Sequence, residues 1–189
     1  MYNENVKEGC LKVIIIRHGK VDFQWHKRCT SMEFDNACAE YDLAPLEEKM
    51  EASFIRCRNI YISTLPRTRE TAKMLFPDKQ YRECALLNEV PLRAWIDTKM
   101  RMPLWIWNVM GRVQWAINSK RQQEGRNSTK VRATEFVRLL DEEKRDAVVI
   151  THGFYMHTML KAFESAGFRV RKTRVHYKNG EYVLAEKEF

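Results

Sequence analysis

Two stretches of the chain share one form. Lys12-Val13-Ile14-Ile15-Ile16-Arg17-His18-Gly19 is an unbroken β-branched run, Val13 to Ile16, that ends in a cation, an imidazole and a glycine. Asp146-Ala147-Val148-Val149-Ile150-Thr151-His152-Gly153 repeats the pattern. A short continuous apolar run closed by polar residues reads as a strand buried on both faces. Open α/β sheets bind ligands beyond the carboxyl ends of their strands, so two parallel strands of this kind would present His18 and His152 side by side.

Between and after these strands the polar and apolar positions predict further elements. Val21 to Tyr41 is weakly periodic and reads as a loop with short helical pieces, whereas Leu46, Met50, Phe54 and Cys57 predict an amphipathic helix over Pro45 to Cys57. Asn59 to Ser63 is a short strand. Pro66 then suits a helix's first turn, with Thr68, Thr71, Ala72, Leu75 and Phe76 on one face. Tyr81 to Glu89 reads as a short strand running into a loop. Trp105, Val109, Val113 and Ile117 recur every fourth residue and predict a helix with a buried stripe. Ser128 or Thr129 is placed to cap the next helix, whose inner face is Ala133, Phe136, Val137 and Leu140. Tyr155 to Phe163 is helix-like, and Val170 to Tyr177 and Glu181 to Leu184 flank the hairpin signal Asn179-Gly180.

Length and composition narrow the class. The 189 residues, 44% of them apolar, suit one domain with a sizeable core. A net charge of +8 favours anionic partners without choosing among phosphorylated metabolites, phosphoproteins, nucleic acid and acidic lipid. The five cysteines lack C-x-x-C spacing and are odd in number, which argues against a zinc site or a disulfide framework and for reduced, cytoplasmic thiols. Met1 to Cys10 is polar and lacks the pattern of a signal peptide, and the apolar runs are too short to span a membrane.

Several further side chains have a chemical reading. Arg67 falls near a helix N-terminus at a strand's carboxyl end, where backbone N–H groups and a guanidinium can both face an anion; Arg69 reads as a solvated charge. Glu89 lies between Leu87 and Val90-Pro91, an apolar neighbourhood that would keep a carboxyl protonated as an acid, although a loop glutamate is usually a solvated charge. Trp25, His26, Lys27 and Arg28 either line the pocket entrance or form a solvated basic turn.

The assembled residues resemble the histidine phosphatase superfamily, the phosphoglycerate-mutase-like proteins of the Arg-His-Gly branch. Arg17-His18-Gly19 looks like its defining motif, Ser63 to Ala72 like its second phosphate-binding segment, Glu89 like its acid, and Thr151-His152-Gly153 like its second histidine. The resemblance covers about Lys12 to the terminal hairpin. It implies an α/β three-layer sandwich, a mostly parallel central sheet with helices on both faces and a C-terminal β-hairpin, forming a single domain over 1–189 with a lid-like segment at 91–128. It further implies a transient phosphohistidine on His18, Arg17 and Arg67 gripping the phosphoryl oxygens, His152 completing the pocket and Glu89 protonating the leaving group. Lys20, where many members carry an acidic or amide residue, and Trp25 are the candidate substrate contacts. Pro91 to Met102 lacks the glycine and glutamate signature of sugar-phosphate mutases, and the chain is short for a mutase, which favours a hydrolase. Where the other branch carries an aspartate after its second histidine, Gly153 stands, leaving the acid role to Glu89.

The residue types suit that chemistry on their own terms. A neutral imidazole is nucleophilic near neutral pH, and attack on phosphorus splits hydrolysis into two easier steps. Fixed cations stabilise the phosphoryl group in transit by roughly a few kcal/mol each, and arginine's planar fork matches two phosphate oxygens. No metal or other cofactor is called for. The expectation is a phosphatase acting on a small phosphomonoester. A phosphohistidine-protein phosphatase and a phosphomutase are the enzymatic alternatives. A basic, tryptophan-bearing RNA- or polyanion-binding module is the non-enzymatic one, disfavoured because the cations are dispersed and no RNA-binding motif is present. The tryptophans at 95–115 are equally compatible with a homodimer contact.

Overall fold

The computed structural model describes residues 9–47, 57–171 and 178–189. Among them the elements run β1 (Cys10–Arg17), β2 (Arg28–Cys29), α1 (Ser31–Leu43), β3 (Asn59–Ile62), α2 (Pro66–Leu75), β4 (Arg82–Glu83), β5 (Met102–Pro103), α3 (Leu104–Ala116), α4 (Arg126–Glu143), β6 (Ala147–Thr151), α5 (Gly153–Ser165), β7 (Arg169–Arg171) and β8 (Tyr182–Glu188). The main sheet has the order β4-β3-β6-β1-β8-β7. Its first four strands pair in parallel, while β8 joins β1, and β7 joins β8, in antiparallel fashion. The expected α/β architecture with its terminal antiparallel pair is therefore present.

Alternation along the central strands divides the core in two. Val13, Ile15, Tyr61 and Val149 point to one face, where Phe136 and Leu140 of α4 and Met159 and Phe163 of α5 cover them. Ile14, Ile16, Ile60, Ile62, Val148 and Ile150 point to the other, against Ala72 and Leu75 of α2. Strands covered on both faces carry apolar residues at successive positions, which explains the unbroken runs.

The register of the two central strands decides the rest. β1 and β6 align Arg17 with Thr151, so the next residue of each, His18 and His152, emerges at the same sheet edge. His18 N–H closes the ladder on the Thr151 carbonyl at 2.9 Å.

Several expectations need correction. The segment Val21 to Tyr41, read as a loop with short helical pieces, holds most of the 13-residue helix α1, started by a capping box in which the Thr30 side chain accepts from Glu33 N–H and the Glu33 carboxylate accepts from Thr30 N–H. Trp105, Val109, Val113 and Ile117 do form one helical stripe, but it is the exposed one, Trp105 being 65% and Ile117 69% accessible. The buried side of α3 is Trp107 and Gly111. Trp107 stacks on Phe34 and donates its indole N–H to the Cys29 carbonyl. Helix α4 begins earlier than expected, with Gly125 as its N-cap, and Thr129 lies inside it, accepting from Trp115 Nε1. The helix expected over Pro45 to Cys57 falls largely on 48–56, and the strand Val170 to Tyr177 largely on 172–177, both outside the described residues.

Candidate active site

At the ends of β1 and β6 the imidazoles of His18 and His152 stand with ring centroids 5.1 Å apart, both almost wholly buried. His18 Nδ1 lies 2.7 Å from the Gly19 carbonyl oxygen, which can only accept, so Nδ1 carries the proton. Burial, then the positive field of Arg67, lowers its pKa to about 3 against the weaker raising effect of that hydrogen bond; Arg17 lowers it further. His18 is thus neutral at physiological pH, and the one proton it holds is on Nδ1. The lone pair is on Nε2.

His152 is held differently. Its Nδ1 accepts from Arg67 Nε at 3.1 Å, which places the neutral ring's proton on Nε2, 2.7 Å from Ser63 Oγ. Ser63 Oγ also lies 2.9 Å from Thr68 Oγ1, whose hydroxyl has the Leu65 and Ser63 carbonyls within reach. Complete burial, then Arg67 and His18, push the His152 pKa well below its ordinary value. Both of its nitrogens are therefore occupied, and the residue it orients is Arg67.

Arg67 is 1% exposed and enters from the first turn of α2, as the strand, proline and helix sequence predicts. Its Nη1 donates to Asp42 Oδ1 at 2.8 Å and its guanidinium lies 5.1 Å from the Tyr41 ring centroid. Arg17 is fitted to Gly153. A Cβ on that glycine would lie 2.8 Å from Arg17 Nε and 2.9 Å from Cζ, so the helix backbone and the guanidinium occupy adjoining space with no room for a side chain.

Glu89 meets a different environment from the apolar one expected. One carboxylate oxygen accepts from the N–H groups of Val90 and Tyr155, at 2.9 and 3.0 Å, and the other from Phe154 at 3.3 Å, so the side chain sits on the first turn of α5. The loop that carries it is held by Arg132, which donates to the Leu86 and Asn88 carbonyls and forks onto both oxygens of Glu124.

A cleft of about 720 Å³ opens over this region, lined by Arg67 and Glu89 together with Trp25, Tyr41, Asp42 and Arg112. His18, His152 and Arg17 are not among its lining residues; the two histidines are buried, and His152 touches the cleft's lining through Arg67. Of the two candidate substrate contacts, Trp25 faces the cleft, packed against Phe23 and Tyr41. Lys20 does not; it is exposed and pairs with Glu47. Arg69 is a surface charge paired with Glu83. Sequence reasoning passed over Ser63, Thr71 and Asp42. Ser63 carried a signal, since it follows β3 at the position that His18 occupies after β1.

A sequence model of the histidine phosphatase superfamily, branch 1, matches residues 13–186. Among curated proteins, none matches the chain by sequence. Solved structures with the same fold include a mycobacterial glucosyl-3-phosphoglycerate phosphatase, at TM-score 0.59 and 17% identity over 94% of this chain and 90% of that one. A phosphoglycerate mutase from Bacillus anthracis aligns at TM-score 0.62 and 16% identity, covering 95% and 89%. A phosphoserine phosphatase mutant from Entamoeba histolytica aligns at 0.53 and 15%, covering 92% and 89%.

Proposed function

The chain belongs to the histidine phosphatase superfamily, branch 1, and from that membership and the site's geometry we propose that it hydrolyses a phosphomonoester through a phosphohistidine on His18. The observation that carries this reading is the state of the imidazole. Nδ1–H is tied to Gly19, and the depressed pKa keeps the Nε2 lone pair available at neutral pH.

In the proposed sequence Nε2 attacks phosphorus and the bond to the leaving oxygen breaks. Arg17 and Arg67 balance the charge on the non-bridging oxygens throughout. Glu89, which lines the cleft and whose carboxylate accepts three N–H groups in the free site, takes up the proton of a monoanionic phosphomonoester as it binds and gives it to the departing oxygen. Water then attacks the phosphohistidine, its proton passing to the Glu89 carboxylate; the bond from phosphorus to Nε2 breaks, its electron pair returns to the imidazole, and inorganic phosphate leaves. Arg67 reaches the phosphoryl group already oriented by His152, so its guanidinium needs little reorganisation.

The test is a screen of phosphorylated metabolites with chelator present, comparing the parent with His18→Ala. Phosphate release that persists in chelator and vanishes in the variant is the expected result. Release that survives His18→Ala, or phosphate returned to a second substrate position in place of release to water, contradicts the reading.

A further inference from the structure

The turn just before β8 reaches back onto the segment that carries the nucleophile. Asn179 Nδ2 lies 3.0 Å from both the His18 and the Gly19 carbonyl oxygens. Two acceptors face one side-chain atom, so that atom must be the amide nitrogen; the amide oxygen in its place would confront both carbonyls without a proton. The backbone joins in. Gly180 N–H donates to the Arg17 carbonyl at 3.0 Å, and Arg17 N–H donates to the Glu181 carbonyl at 3.0 Å. Gly180 has φ +80, a conformation that brings the turn down onto the strand end and that glycine adopts without strain.

We propose that Asn179 is a positioning residue for the nucleophile: it holds the Gly19 carbonyl against His18 Nδ1–H and so keeps the lone pair on Nε2. The inference rests on the reading of His18 as the phosphoryl acceptor. Gly19 has the softest backbone of any residue type, so its carbonyl needs external ties to keep one direction. Its N–H is tied to Thr71 Oγ1 at 2.9 Å, and Thr71 Oγ1 in turn donates to the Arg67 carbonyl at 2.7 Å. The carbonyl side is tied by Asn179. A glycine whose flanking peptide groups are both anchored presents its oxygen to Nδ1 in one direction, and the hydrogen bond selects the tautomer. Without Asn179 the carbonyl turns on the glycine, and the proton is free to move to Nε2, the atom that must attack.

The groups facing this turn and the imidazole define the pH behaviour to look for. His18 is flanked by Arg17, Arg67 and His152; among the described residues the Asn179 amide nitrogen faces the His18 and Gly19 carbonyl oxygens, and Lys178 and Glu181 are the charged residues of its turn. Asn179→Asp keeps the shape but donates only when protonated. Its ionised form would place a carboxylate against two carbonyl oxygens, which hold its pKa above the ordinary carboxyl range, so this variant should lose turnover as pH rises from about 5, more steeply than the parent.

The experiment reads tautomer and turnover together. Nitrogen-15 shifts of the His18 ring are recorded in the parent and in Asn179→Ala, and steady-state kinetics in both and in Asn179→Asp between about pH 5 and 7.5. We expect a single Nδ1–H form in the parent and a mixed population in Asn179→Ala. In Asn179→Ala kcat should fall about tenfold, the scale of one lost hydrogen bond, with KM changed less than about twofold. The deficit of Asn179→Asp should widen as pH rises. A parent-like tautomer in Asn179→Ala overturns the proposal, and so does a deficit in Asn179→Asp that is constant with pH. Should Asn179→Ala fail to fold, the Asn179→Asp profile decides alone. A parent that releases no phosphate refutes the phosphatase reading, and the ring shifts then decide the positioning claim.

Discussion

Arg67 Nε donates to His152 Nδ1 at 3.1 Å, joining the buried guanidinium of α2's first turn to the histidine that follows β6. The two residues are 85 positions apart in sequence. His152 in this arrangement acts through the guanidinium, because Ser63 occupies its other nitrogen.

That link predicts non-additive losses. Arg67→Ala and His152→Ala should each weaken vanadate or phosphate binding, and the double variant should be barely worse than Arg67→Ala alone. Contacting residues in one network commonly show coupling of about 0.5–3 kcal/mol. Calorimetric titration of the four proteins measures it, and strictly additive losses would sever the proposed dependence.

Gly153→Ala probes the packing of Arg17. The new methyl would lie 2.8 Å from Arg17 Nε, a flexible side-chain end that can move away. Stability should therefore change little, while the phosphoryl site loses a guanidinium from its place. We expect kcat/KM to fall by roughly 10²-fold, the scale of a small misplacement at a reacting group, with the thermal midpoint nearly unchanged. A large drop in the midpoint at parent-like activity would contradict this account.

The buried imidazoles make the fold sensitive to mild acid. An unfolded histidine takes up a proton below about pH 6.5, whereas His18 in the fold stays neutral down to about 3, and His152 is shifted in the same direction. Between those limits the unfolded chain binds more protons, so stability is greatest above about pH 6.5 and declines as pH falls towards 3. Thermal melts in phosphate-free buffer should show the midpoint falling on acidification from about pH 7.5 to 5, more steeply in the parent than in His18→Asn. Identical slopes in the two proteins would rule out His18 as a source of the effect.

What each level decided can be read from particular elements. The runs Val13 to Ile16 and Ala147 to Ile150 announce buried strands, and the polar residues that interrupt them, Arg17-His18 and Thr151-His152, mark where the strands end and the pocket begins. Pro66 likewise marks the start of α2 and with it the place of Arg67. These features are local, since an apolar run, a chain-terminating polar pair and a proline act through neighbouring residues.

Other features depend on partners distant in sequence. α3 is apolar nearly all round, so its period predicts a helix without choosing the inner face; Phe34 and the Cys29 carbonyl choose Trp107. Glu89 lies in an apolar stretch of chain, yet the first turn of α5, more than sixty residues on, supplies two of its hydrogen bonds. Asn179 reads as a turn residue and becomes a donor to the His18-Gly19 segment only because β8 lies beside β1. Sequence determined which chemical groups stand at the strand ends. The parallel register of β1 with β6, a long-range pairing, decided that His18 and His152 meet, and the Gly19 carbonyl decided that the proton of the His18 ring is on Nδ1.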